Sequence, residues 1–170
     1  MIDLAEFGFT HNLSRRVHLP TPGCKGLLET LHLKAVRVLP TLPVWGRHPP
    51  CEAAVHATRS FIAPKQGEKV LLKLDVKNAF NSIRRDTVLQ AAQTHLPEIY
   101  PFIWDCYSSK TSLFHGDFHL DSATGVQQGY PLGPALFTLA IHRVTSEVKS
   151  DLNAWYLDDG CIGGDPDCAQ

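Results

Sequence analysis

A chain of 170 residues with 44% apolar content can bury one core, and its formal charge of −1 gives no overall basic footprint for nucleic acid. No apolar run reaches membrane-spanning length and the N-terminus lacks a signal-peptide core, so the expectation is an intracellular protein with no membrane partner. Five cysteines, odd in number and without a Cys-x-x-Cys, read as free thiols in a reducing compartment rather than a disulfide framework.

Residues 1–50 are the least legible stretch. Gly26 to Leu39 suits a helix with Leu27, Leu28, Leu31 and Val38 inward, before Pro40, Pro43, Pro49 and Pro50 break regular structure. Glu52 to Ile62 reads as a helix carrying Ala53, Ala54, Val55, Ala57 and Phe61. Lys69 to Asp75 is a nearly continuous apolar run, which predicts a strand covered on both faces with Asp75 at its carboxyl end. Val76 to Ser82 holds turn and capping residues, and Arg84 to His95 has Val88, Leu89, Ala91 and Ala92 at helical spacing. Another helix is expected over Pro97 to Tyr107, presenting Ile99, Phe102, Ile103 and Trp104. Thr111–Phe114 and Phe118–Leu120 then read as a hairpin around a polar turn, with zinc on His115-Gly116-Asp117-Phe118-His119 as the rival reading.

Gly125-Val126-Gln127-Gln128-Gly129-Tyr130-Pro131-Leu132-Gly133-Pro134 alternates glycine and proline ahead of an apolar helix through Leu139, Ala140, Ile141 and Val144. Pro134 fits the first helical turn. Gly125 and Gly129 permit close backbone approach to something flat or charged, and Gln128 offers donors and acceptors beside it. A plain loop-to-helix junction is the alternative.

Ala154 to Ile162 looks like two short strands joined by a turn at Asp158-Asp159-Gly160. Two carboxylates at a tight turn repel, and a cation is the natural compensation. If the strand ending at Asp75 pairs beside that hairpin, three carboxylates converge. Such a set suits two hard divalent cations roughly 3.5–4 Å apart, clamping the attacking and leaving oxygens of a phosphoryl transfer. Magnesium prefers a few carboxylates plus phosphates and waters. Taken singly, a solvated acidic hairpin and an Asp75 that only caps its turn would explain the same residues.

Three blocks in order, Leu74-Asp75-Val76-Lys77-Asn78-Ala79-Phe80-Asn81-Ser82, then Gly125 to Pro134, then Tyr156-Leu157-Asp158-Asp159, resemble the palm of reverse transcriptases. The resemblance runs from Cys51 to Gly164 and looks closest to the enzymes of non-LTR retroelements. It implies an α+β fold, a small mostly antiparallel palm sheet packed by helices, with partial fingers and no thumb. Residues 1–50 would be partial fingers or a non-native start, and 51–170 the palm, ending soon after the Tyr-Leu-Asp-Asp motif.

The resemblance further makes Asp75, Asp158 and Asp159 the catalytic metal ligands for Mg2+, or Mn2+ in its place, with the Val76 carbonyl as an extra ligand. Phe80 matches the aromatic that blocks a ribose 2′-hydroxyl, Gln128 and Gly129 match residues lining the incoming nucleotide, and Tyr156 matches a primer-proximal aromatic. The implied partners are an RNA template, a DNA primer and deoxynucleoside triphosphates. Further domains of a full-length element, the thumb among them, are expected to supply the basic channel. Within this chain the local basic candidates are Lys65, Lys69, Lys73, Lys77, Arg84 and Arg85. Tyr130 stands where a small or acidic residue is expected, and its bulk is expected to intrude on the template side. A catalytically inactive palm remnant serving as a binding scaffold is the alternative function. The isolated chain is expected to synthesise little DNA.

Overall fold

The computed structural model describes residues 50–63, 68–127, 129–130 and 132–166. The helix expected over 26–39, and with it Lys65 and Gln128, lies outside the described residues. Helices and antiparallel sheet are mixed along the chain, compatible with an α+β fold. By internal contacts the described chain divides into two compact units. One holds the first helix and strand together with residues from His142 onward, and the other runs from Asn78 to Ile141.

In the first unit α1 (Pro50–Ile62) opens with proline, which needs no backbone donor there, and carries Glu52 in its first turn and Arg59 in its last, both matched to the helix dipole. Its inward face is narrower than the sequence suggests. Phe61 is buried and Ala54 packs beside it, whereas Ala53, Val55 and Ala57 are exposed. Phe61 joins Leu152 and Ala154 in a small core, with Cys161 at its margin. The sheet has the order β1 (Val70–Asp75), β5 (Asp159–Gly164), β4 (Leu152–Tyr156), antiparallel throughout.

Strand β1 corrects an expectation. Its apolar run was expected to be covered on both faces, but it forms an edge of the sheet, and Val70, Leu71 and Leu72 are exposed. The helix packed on this sheet, α1, lies against β4 and β5 and leaves β1 uncovered among the described residues. Because Leu72 is 51% exposed, Leu72→Thr is expected to change unfolding free energy by less than about 0.5 kcal/mol in chemical denaturation.

The second unit is mostly helical. A single turn, α2 (Ala79–Ser82), leads into α3 (Arg85–His95) and α4 (Tyr100–Tyr107). Helix α4 starts later than expected, since Pro97 to Ile99 form a turn. Val88, Ala92, Ile103, Leu132, Leu136 and Phe137 are almost fully buried in its core. Helix α5 (Gly133–Glu147) begins here with Pro134 in its first turn, and its later residues belong to the first unit. Strands β2 (Thr111–His115) and β3 (Phe118–Ser122) form the expected hairpin. Register pairs His115 with Phe118 and Phe114 with His119, so the two histidines fall on opposite faces of the ribbon. Joint ligation of one zinc by this pair is thereby disfavoured. No helix among the described residues is long and apolar enough to cross a membrane.

Candidate functional site

The acidic residues meet at one end of the three-stranded sheet. Asp75, the last residue of β1, is the register partner of Asp159, the first residue of β5, and Asp159 is also the partner of Tyr156 on β4. Antiparallel partners share a face, so Asp75, Asp159 and Tyr156 form one row across three strands. Lys73 and Cys161 make the next row on that face, two residues back along each strand. Asp158 sits beside the row, in the turn.

That turn is not where the sequence suggested. Its two central residues are Leu157 and Asp158, while Asp159 and Gly160 already belong to β5. Leu157 has a φ of 56°, a left-handed conformation that costs a residue with a side chain roughly 1–2 kcal/mol. A two-residue hairpin turn with its first residue at positive φ twists with the strands and holds the register of the acidic row. Leu157→Gly is therefore expected to leave the melting temperature unchanged or raise it slightly, since relief of strain offsets the entropy that glycine adds to the unfolded chain.

The hairpin is also fastened from behind. The Trp155 indole lies over Gly160, where an added Cβ would come within 2.7 Å of the ring. Trp155 Nε1 donates to Asn153 Oδ1 at 2.7 Å, and Asn153 Nδ2 donates to the carbonyls of Thr145 and Val148 at 2.7 and 3.1 Å. The turn that carries Asp158 thus stands on a rigid ribbon.

Partial burial pushes the Asp158 carboxyl above its ordinary value, and the negative charges of Asp159 and Asp75 push it further in the same direction. Lys73 Nζ stands 4.0 Å from Asp159 Oδ1, with both side chains more than half exposed, so solvent screens that pair heavily. Among the described residues no group of three or more His, Cys, Asp or Glu side chains is arranged to hold a metal ion. The donor types nonetheless suit a hard cation: three aspartates at adjacent backbone positions of one sheet end, with one exposed lysine at the edge.

The aromatic and glycine motifs meet in the other unit. Phe80 is half-buried and stacks on Phe137, with ring centroids 4.3 Å apart and planes at 14°. The Val126 N–H donates to the Phe80 carbonyl and the Gly125 N–H to the Ile83 carbonyl, both at 2.8 Å. The glycine segment therefore lies directly on the turn that carries Phe80. Gly129 has a φ of 80° and open space where a side chain would begin.

Three expectations need correction. Tyr130 is turned inward rather than standing out as bulk at the surface. It is 6% exposed, and its hydroxyl lies 3.8 Å from Cys106 Sγ within this unit's interior. Two of the basic candidates are held in ion pairs of their own. Lys69 Nζ is held by Asp151 at 3.0 Å and Asp165 at 2.6 Å, and Arg84 pairs with Asp86. Arg85, expected as surface charge, is buried. Sequence reasoning missed it, although Arg85, Val88, Leu89 and Ala92 form one helical stripe and are all buried.

The sequence matches the family described as reverse transcriptase (RNA-dependent DNA polymerase) over residues 14–168. The match begins well upstream of the blocks in which motifs can be read. No curated protein matches the chain.

Proposed function

This chain belongs to the reverse transcriptase (RNA-dependent DNA polymerase) family, and on that basis we propose that it is the palm of a retroelement enzyme of the non-LTR type, adding deoxynucleotides to a primer 3′-hydroxyl along an RNA template. The observation that carries the reading is the register of Asp75 with Asp159, with Asp158 in the adjoining turn. A scaffold has no use for clustered like charges at a rigid turn, whereas phosphoryl transfer does.

Asp75, Asp158 and Asp159 would hold the divalent cations, magnesium or manganese, with the Val76 carbonyl as a further ligand. Bound there, such ions lower the pKa of the primer hydroxyl and absorb charge on the leaving oxygens. The chain's own part is to fix geometry. Tyr156, in line with Asp159, would face the primer terminus, and Gln128 and Gly129 would line the nascent base pair.

Phe80 would exclude a ribose 2′-hydroxyl. Its stack on Phe137, itself 1% exposed, leaves the ring little freedom to retreat. In the chain joined to a compatible thumb, Phe80→Val is expected to improve use of ribonucleotides relative to deoxynucleotides by about tenfold or more in primer extension, because the shorter side chain opens space for one oxygen. Unchanged discrimination removes Phe80 from that role.

The reading as a whole is tested by primer extension on a polyribonucleotide template with magnesium or manganese, using the chain joined to a compatible thumb, alongside titration of manganese into the protein. Templated incorporation that vanishes in Asp75→Asn supports it. A chain that binds manganese no better than Asp75→Asn and incorporates nothing is a scaffold instead.

A further inference from the structure

Arg85 is a cation in a place that does not suit one. It is 7% exposed, and no carboxylate pairs with it among the described residues. Its Nε donates to the Gly125 carbonyl at 3.2 Å. Nη1 donates to the carbonyls of Ser109 at 3.2 Å and Ser122 at 2.8 Å, and Nη2 to the Ser122 hydroxyl at 2.8 Å. The guanidinium also lies 5.5 Å from the centre of the Tyr107 ring, close enough for a cation–π contact. The Tyr107 hydroxyl in turn accepts the Gln127 N–H at 3.2 Å.

Burial pulls Arg85 below its ordinary value and pushes the Tyr107 phenol up to about 12, so at neutral pH the pair is a cation beside a neutral ring. Removing a cation from water costs several kcal/mol, and neutral carbonyls offset that only in part. For stability alone, an apolar residue on the buried stripe of α3 would serve as well. The informative feature is what the acceptors share. Ser109 precedes the β2–β3 hairpin, Ser122 ends it, and Gly125 begins the glycine segment. One planar fork ties all three backbone positions together through four bonds from three nitrogens, which a lysine's single nitrogen with three donors cannot match. Gly125 and Val126 then bond directly to the turn of Ile83 and Phe80.

We propose that Arg85 is a positioning residue for sugar selection: it clamps Gly125–Gln127 onto the turn carrying Phe80 and so fixes where that ring stands against an incoming ribose. The inference rests on Phe80 being the sugar-excluding residue.

The test uses Arg85→Lys, Arg85→Gln and the milder Ser122→Ala with two readouts, amide exchange on the 170-residue chain and primer extension on that chain joined to a compatible thumb. In amide hydrogen exchange, Gly125 and Val126 are expected to exchange at least about tenfold faster in both Arg85 variants and by a smaller factor in Ser122→Ala, with Ile103 in α4 unchanged. In primer extension, the preference for deoxynucleotides over ribonucleotides is expected to fall about tenfold in Arg85→Lys, through the ribonucleotide KM rather than kcat. Exchange that is unchanged, or that rises equally at Ile103, overturns the clamp. Local exchange gain with unaltered sugar preference overturns the link to selection. Phe80→Val in parallel separates the two readings: if it too leaves the preference unaltered, the sugar-excluding role itself is wrong, and exchange alone still decides whether Arg85 holds the segment.

Discussion

Asp158→Asn is expected to lower templated nucleotide incorporation by at least about a thousandfold while raising the melting temperature of the metal-free protein by roughly a few degrees. The two effects have one origin. Asp158 carries a raised proton affinity because it is partly buried and faces Asp159 and Asp75. A carboxylate whose folded pKa lies above its unfolded value weakens the fold when ionised, and that penalty is present at neutral pH and fades as pH falls through the raised value. The asparagine keeps size and hydrogen-bonding capacity but not charge, so it removes the penalty at pH 7. It also removes the charge that would hold a cation. Primer extension with magnesium, on the chain joined to a compatible thumb, and a thermal melt monitored by circular dichroism without divalent metal check the pair. A variant that loses activity and stability together would mean that Asp158 supports the fold, not the chemistry. A variant that gains stability and keeps activity would remove it from the site.

Much of this arrangement is readable from the residues, and the failures are instructive. Helices α1, α3 and α5 and both hairpins follow from apolar spacing, prolines at helix starts and glycine in turns. The acidic row is legible because Asp75 and the Asp158–Asp159 pair each end a short apolar run, where strand termini present side chains. What stays hidden depends on tertiary neighbours. Val70 to Leu72 is equally apolar at an edge or in the middle of a sheet, and only the strand order shows which. The hairpin turn falls on Leu157 and Asp158 because the pairing of Tyr156 with Asp159 demands it, although the glycine after the pair points to a later turn. Arg84 and Arg85 are identical in composition, yet one is exposed beside Asp86 and the other is buried on carbonyls. Helical phase separates them: Arg85 lies in the stripe of Val88, Leu89 and Ala92, and Arg84 precedes the helix. Tyr130 turns inward for a similar reason, since the segment around it is anchored at Gln127 and Gly133 by backbone bonds.

Gly125→Ala is expected to destabilise the protein by about 2–5 kcal/mol. Two costs add. Gly125 has a φ of 77°, where a side chain costs roughly 1–2 kcal/mol. The new methyl would also lie 2.6 Å from Asn81 Cα and 2.7 Å from the carbonyl oxygens of Asn81 and Phe80. Those neighbours are backbone, so no side chain can rotate away, and the overlap is relieved only by separating the two segments. Such overpacking costs about 1–3 kcal/mol. Separation also stretches the bonds from Gly125 to Ile83 and from Val126 to Phe80 and draws the Gly125 carbonyl away from Arg85. Gly129→Ala provides the contrast, because its φ of 80° carries the same strain but nothing stands within 4 Å of the added methyl. Its expected loss is the conformational cost alone, about 1–2 kcal/mol. Urea denaturation of the two variants measures the difference directly. Equal losses would show that the close approach at Gly125 relaxes at little cost, and that φ alone accounts for both glycines.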